Sequence, residues 1–322
     1  MDKNLHLDSV IKTHQITKEE SLLKKFKEKN KDVKEKLEGK YGENIYSPFN
    51  SGSYAKNTAI NTKFDFDLVV PFKRNAFTAN GTLKQMYDDV YKYLAEEYQG
   101  LATVIKQKVS IGIDFYSDID GHKVKIDVVP GREFNQDQYV DDKNLNLYVN
   151  KKYGLFEEGA DRLKTNIEAQ LDNIKNRATS EKDSIRKIIR LLKVWKTSKG
   201  NYPTKYFFLE LITIKAFDSS DISGSLWDKL KTVLEFIQAN VIDDSFKLVD
   251  PGNSTNNLMD TLEDYEKENL SNDMKNMLDR INEYDENIKI YFPENPKFKE
   301  ENKGNYVVKS GMPTPPPKLN FG

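Results

Sequence analysis

The chain has no cysteine among its 322 residues. Disulfides, thiolate zinc sites, iron–sulfur clusters and cysteine nucleophiles are excluded together. Histidine is almost as scarce: His6, His14 and His122 are the whole supply. Multi-histidine metal centres and Ser–His–Asp triads are therefore poorly provided for, and any chemistry falls to carboxylates, lysines, hydroxyls and backbone. Charge of one sign is not in excess either. Lysine and arginine number 50 against 51 aspartates and glutamates, for a formal net charge of −1, which argues against a protein living on nonspecific grip of a nucleic-acid duplex. No long apolar run and no signal-like N-terminus is visible, so a cytoplasmic protein without a membrane span is expected. What is present, 37% hydrophobic and 31% charged residues, is the composition of a globular chain rich in exposed helix faces, with room for one large domain or two ordinary ones.

Residues 17–38 read as an amphipathic helix, with Leu22, Leu23, Phe26, Val33 and Leu37 on one stripe and lysine–glutamate pairs elsewhere. Residues 64–72 (FDFDLVVPF) alternate and then run apolar, as a largely buried strand does. Helical spacing returns over 82–97. Two β-rich runs, 103–116 and 122–129, flank the turn-forming cluster Ser117-Asp118-Ile119-Asp120-Gly121 and predict a hairpin. From 160 onward the pattern is helical, with helices expected near 160–176, 181–197, 204–217, 226–240, 255–268 and 271–285. Beyond about 294 the chain turns rich in proline, lysine and glycine, which predicts an extended tail.

The chemistry concentrates in Ser51-Gly52-Ser53-Tyr54-Ala55-Lys56, followed by Asp65-Phe66-Asp67 at the start of an apolar strand. Residues i and i+2 of a strand share a face, so Asp65 and Asp67 project side by side, roughly 6–7 Å apart. Two carboxylates on a half-buried strand are costly unless a cation neutralises them, and hard divalent ions bridging to phosphates meet that demand. Gly52 lets backbone approach a ligand, and amides at a helix start suit an anionic phosphate. Alone, each piece is ordinary. Gly-Ser is usually a turn and Asp-x-Asp usually a surface feature, as in Asp118-Ile119-Asp120, which reads as turn chemistry. Together with Asp127, which interrupts another apolar run (VKIDVVP), they point to a shared metal site.

The order of these motifs resembles the signature of the polymerase-β-type nucleotidyltransferase superfamily. GSYAKNTAI with FDFDLVV is similar to the cGAS/DncV-like nucleotidyltransferases (CD-NTases) of bacterial CBASS anti-phage systems, and less closely to animal oligoadenylate synthases. RKIIRLLKVWK at 186–196 resembles the family's Arg-x-x-Lys-x-Trp helix, LELIT at 209–213 its LELLT helix, and Asp250-Pro251 with Asn253, Asn256 and Asn257 its Asp-Pro-Asn element. The resemblance covers roughly residues 45–260.

It implies an α+β fold: a nucleotidyltransferase core with a mixed sheet and an N-terminal spine helix over 1–155, packed on a helical, oligoadenylate-synthase-like domain over 156–294, with a proline-rich tail over 295–322. It implies two Mg²⁺ ions (Mn²⁺ able to substitute) on Asp65, Asp67 and Asp127, and NTP contacts from Gly52 and Ser53. It places Lys193 at the β- and γ-phosphates, the alternative being a solvent-facing helix lysine. Tyr206 and Phe207 flank the position of a base-stacking aromatic. The implied activity is condensation of NTPs into a cyclic di- or trinucleotide with pyrophosphate release. A linear product and a catalytically inert nucleotide-binding module are the competing readings. Without cysteine the zinc insertion of animal cyclic GMP-AMP synthase has no counterpart, and no double-stranded DNA activator is expected. The resemblance further suggests accessory proteins acting on the tail at Gly322, against a plain frayed terminus.

Overall fold

The computed structural model describes residues 1–77, 81–117, 123–150 and 162–299. The first helix, α1 (Lys3–Thr13), was not foreseen. Asp2 caps it, its carboxylate accepting from the amides of Asn4 at 2.8 Å and Leu5 at 3.1 Å. The expected amphipathic helix is α2 (Glu20–Tyr41), stopped by Gly42 at φ +50°. There follow β1 (Phe49–Ser51), the short α3 (Gly52–Ala55), β2 (Phe66–Phe72) and α4 (Leu83–Glu97), the last opened by a Thr82/Gln85 capping box.

The run 103–116, expected as one strand, divides into β3 (Ala102–Lys106) and β4 (Ile111–Phe115), because residues 107–110 turn the chain back on itself. β4 then pairs antiparallel with β5 (Lys125–Glu133), the partner expected for a hairpin. The tip of that hairpin, 118–122, lies outside the described residues, as does His122. After α5 (Tyr139–Asp142), β6 (Leu145–Tyr148) and β7 (Arg162–Thr165) complete a sheet of order β1-β2-β5-β4-β3, with β6 beside β5 and β7 beside β6. Only the central pair β2/β5 is parallel, so the sheet is mixed.

Strand alternation decides which face is which. Phe66, Leu68, Val70 and Phe72 of β2 pack with Ile126 and Val128 of β5 against Phe26, Val33 and Leu37 of α2 and Met86, Val90 and Leu94 of α4. The opposite face of the same two strands carries Val69 and Val129, covered by Tyr139, Leu145, Leu147 and Ile167. Asp67 and Asp127, two residues before those valines, share that second face.

The second half is helical: α6 (Ile167–Lys175), α7 (Thr179–Ser198), α8 (Tyr206–Ser219), α9 (Leu226–Asn240), α10 (Asp264–Glu283) and the short α11 (Ile288–Tyr291). They share a core built on Ile188, Leu192, Trp195, Phe208, Leu234 and Met277, into which α1 inserts Leu7, Val10 and Ile11. Two expectations fail here. The stretch 160–176 begins as strand β7, because Leu145 to Tyr148 offer it a ladder partner. The stretch 255–268 is not one helix either: β8 (Val249–Asp250) and β9 (Asn253–Asn257) form a small hairpin, and 264–268 already belongs to α10, which merges with the helix expected at 271–285. Buried Asp250 sets that hairpin. Its carboxylate accepts from the Gly252 amide at 2.8 Å and from Gln170 Nε2 at 2.9 Å.

The architecture is thus α+β, a mixed sheet in the first half and packed helices in the second. Residues 295–299 are held to the body. The Asn295 amide donates to Thr13 Oγ1 at 3.1 Å, and Lys297 Nζ is 2.6 Å from Glu19 Oε1. Residues 300–322, with Gly322, lie outside the described residues. No helix among those described is long and apolar enough to cross a membrane.

Candidate active site

The parallel register of β2 and β5 sets Asp67 directly beside Asp127. Asp65 stands two residues before Asp67, and its charge is felt at both other carboxylates. Burial first, then Asp65 and Asp127, push the Asp67 carboxyl up to about 7. Burial also raises Asp127, against the pull of Lys125, whose Nζ is 3.4 Å from Asp127 Oδ1. Asp65 and Asp127 thus oppose the ionisation of Asp67, and Asp65 opposes that of Asp127.

Gly52 makes the crowding possible. It adopts φ +63°, a region where a side chain is strained, and a Cβ built there would sit inside the Asp67 carboxylate. The turn after it is closed by Thr58, whose amide donates to Ser53 O at 2.9 Å. Tyr54, the next residue, stacks on Phe66 with ring centroids 4.0 Å apart. The glycine–serine segment is thereby fixed against the first residue of β2.

A cavity of about 200 Å³ opens beside this segment, walled by Gly52, Ser53, Lys56, Ile60, Lys63, Asp65, Lys193, Tyr206, Phe207 and Glu210. Asp67 and Asp127 are not among its walls, but the Asp67 carboxylate lies against Gly52, which is one of them. Its cations come from both halves of the chain. Lys56 is buried and ion-paired with buried Glu210 of α8. Lys193 of α7 is 4% exposed and donates to Thr58 O at 3.1 Å and Thr58 Oγ1 at 3.0 Å, with Glu210 Oε2 4.0 Å away. It is therefore not a solvent-facing helix lysine. Burial lowers its ammonium to about 8, with Glu210 opposing and Lys56 and Arg190 reinforcing the shift. Lys56 Nζ lies 4.8 Å from the Phe207 ring centroid, while Lys63 and Lys196 approach the Tyr206 ring at 5.2 and 4.3 Å.

The donor set suits a hard divalent cation: oxygens only, clustered, and mutually repelling until a positive charge joins them. Among the described residues, no group of three or more His, Asp or Glu side chains is closed tightly enough to hold a metal by itself. Mg²⁺ does not ask for that. It ordinarily binds through one or two carboxylates and takes its other ligands from water and substrate phosphates.

Of the residues singled out in the sequence, the structure gathers Gly52, Ser53, Asp65, Lys193, Tyr206 and Phe207 around one cavity and sets Asp67 and Asp127 side by side next to it. Sequence reasoning passed over Lys56 and Glu210, although both sit inside the quoted runs GSYAK and LELIT. A glutamate buried in the apolar face of a helix was the available signal. Lys125 and Lys196 likewise stand inside the quoted runs VKIDVVP and RKIIRLLKVWK, whereas Lys63 and Gln107, whose Nε2 is 3.0 Å from Asp127 Oδ1, stand in none.

No family model and no curated protein matches the chain in sequence. Solved structures do match in fold. The CdnC of E. coli MS115-1, solved with ATP and also in a complex with HORMA-deltaN, superposes with a TM-score of 0.67 at 19% identity, over 88% of this chain and 96% of that one. The CdnE cyclic dinucleotide synthase of Elizabethkingia meningoseptica gives 0.57 at 15% identity, covering 78% and 91% of the two chains. The DncV cyclic AMP-GMP synthase of Vibrio cholerae, a prokaryotic cGAS homolog, gives 0.58 at 16%, covering 76% and 69%. The protein thus has the fold of the bacterial CD-NTases.

Proposed function

We propose that the protein is a nucleotidyltransferase that joins NTPs into a cyclic di- or trinucleotide second messenger, releasing pyrophosphate. The observation that carries this reading is the pairing of Asp67 with Asp127 on adjacent strands, pressed against Gly52 beside a cavity holding two buried lysines. Such a site places a carboxylate pair at one end and phosphate-seeking ammonium groups at the other.

Asp65, Asp67 and Asp127 would hold two Mg²⁺ ions, which when bound supply charge neutralisation and a more acidic ribose hydroxyl. The chain's own groups do the rest. Lys193 gives up Thr58, and Lys56 part of its hold on Glu210, to meet the triphosphate. Both ammoniums then face the oxygens that leave as pyrophosphate. Ser53 and the bare Gly52 let the backbone close on the phosphates. Tyr206 and Phe207 offer ring faces to a base, and the walls restrict water, so that positioning supplies much of the rate. The likeness in fold to an ATP-bound CdnC, a cyclic dinucleotide synthase and a cyclic AMP-GMP synthase supports the substrate class and the cyclic product. The complex of CdnC with HORMA-deltaN supports a protein partner for this chain as well.

Incubating the purified protein with all four NTPs and Mg²⁺ or Mn²⁺, followed by mass spectrometry of phosphatase-resistant products, tests the proposal. Cyclic oligonucleotides are expected. A product that phosphatase degrades fully would establish linear synthesis, and no product would refute the reading.

A further inference from the structure

Asp127 is held by a neutral side chain that no sequence motif contains. Gln107, in the turn joining β3 to β4, donates from Nε2 to Asp127 Oδ1 at 3.0 Å. The ionised carboxylate only accepts and so takes the NH₂ end of the amide, and Gln107 Oε1 then accepts from Ser110 Oγ at 2.7 Å. The turn itself is pinned. The Gln107 amide donates to Ser110 O at 2.9 Å and lies 3.0 Å from the hydroxyl of Tyr87, and that hydroxyl in turn donates to Ser110 O at 2.8 Å. Tyr87 is fully buried in the core under α4.

The sheet leaves a gap of the right shape for this contact. Gly112 of β4 is the register partner of Asp127. A Cβ at Gly112 would overlap Gln107 Nε2 and stand 3.3 Å from Asp127 Oδ1. Only a residue without a side chain lets glutamine reach across the strand. Among the described residues the partners of Asp127 are Gln107 and Lys125, and both engage Oδ1. Among the described residues Oδ2 accepts no hydrogen bond. A neutral amide orients the carboxylate without cancelling its charge, which stays available to a cation.

We propose that Gln107 is a positioning residue: anchored by Tyr87 and Ser110 and admitted by Gly112, it holds Asp127 through Oδ1 and leaves Oδ2 free for the cation that Asp127 would help to bind. This rests on the nucleotidyltransferase reading. Outer partners of metal ligands typically change metal affinity or activity by about 10–100-fold when removed, and that range is expected here.

The test compares wild type with Q107L, with Q107E (equal length, but an acceptor facing an acceptor) and with G112A, which keeps the glutamine and displaces it. Mn²⁺ binding is followed by the free-ion EPR signal in the presence of a non-hydrolysable NTP, alongside kcat, KM for NTP and thermal melting. All three variants should weaken Mn²⁺ binding and lower kcat by at least about tenfold, leave KM for NTP within about twofold, and melt close to wild type. A Q107L protein with wild-type Mn²⁺ affinity and kcat would overturn the inference and leave the functional reading standing. A wild type that binds Mn²⁺ but forms no product would refute the functional reading, while the Mn²⁺ shift still decides the role of Gln107. A wild type that binds no Mn²⁺ would overturn both.

Discussion

Gly52 and Lys193 show how much of the site rests on single side chains, one absent and one buried. At Gly52 a methyl group meets the Asp67 carboxylate and φ +63° at once. Gly52→Ala should cost about 1–3 kcal/mol of stability and remove activity, read by thermal melting and pyrophosphate release. Lys193 makes a pH prediction. Its ammonium is lowered to about 8 by burial, with Glu210 of α8 opposing, Lys56 and Arg190 assisting, and Asp65 opposing weakly from the start of β2. Below pH 8 the group is charged and ready for phosphate; above it the neutral amine dominates. The value of kcat/KM, which reports the free enzyme, should therefore fall by about tenfold per pH unit above pH 8. In Lys193→Arg that limb should vanish, because guanidinium does not titrate in this range. An unchanged limb in the arginine variant would assign it to another group. For stability the sign is opposite: the cost of burying the ammonium is present in full below pH 8 and relieved between there and the unfolded value near 10.5.

Between elements, the Lys56–Glu210 pair ties the segment after α3 to the middle of α8, with side chains only 5% and 4% exposed. Removing one partner leaves a buried charge without compensation, which costs about 3–5 kcal/mol. Glu210→Gln should therefore lower the melting temperature sharply, and adding Lys56→Met should restore much of it. Additive losses in the double variant would mean the pair is not coupled. Elements with an unbroken periodic pattern were legible in the sequence: α2, β2, α4, α7, α8 and α9 fall within a few residues of their expected positions. Those decided by partners distant in sequence were not. β7 is a strand because β6 lies beside it, and β9 because Asp250 folds the turn back. Helix α1 is short, and only the core of later helices that it enters reveals its apolar face. The same holds for the site. The candidates Asp67 and Asp127 are legible because each interrupts an apolar strand, whereas Asp65, expected on the same strand, stands just before β2 begins at Phe66. Gln107 is invisible because its role follows from the register of β4 on β5.

At the scale of the whole molecule, α1 and residues 285–299 pack together on the helical half. Helix α1 lays Leu7, Val10 and Ile11 into the helical core, and residues 285–299 lie over it. Lys3 Nζ is 2.6 Å from Asp285, Ser9 bonds to Glu294, and His6 Nε2 is 2.8 Å from Phe292 O. Three buried aliphatic side chains at about 1.5–3 kcal/mol each are comparable with the whole stability of a domain, about 5–15 kcal/mol. Deleting residues 1–14 should therefore leave the protein unfolded or unstable at 37 °C, as judged by circular dichroism and melting. A deletion variant that melts with the full-length protein would contradict the role given to α1. The near-neutral charge of the whole conceals a local division, carboxylates on the sheet face and ammonium groups across the cavity, and on that division the functional account stands. Its most direct test is pyrophosphate release from NTPs and Mg²⁺ by wild type and by Asp67→Asn, with melting curves of both. The account predicts release by wild type, none above background by the variant, and a variant that melts no lower than wild type. A fully active Asp67→Asn protein would contradict it.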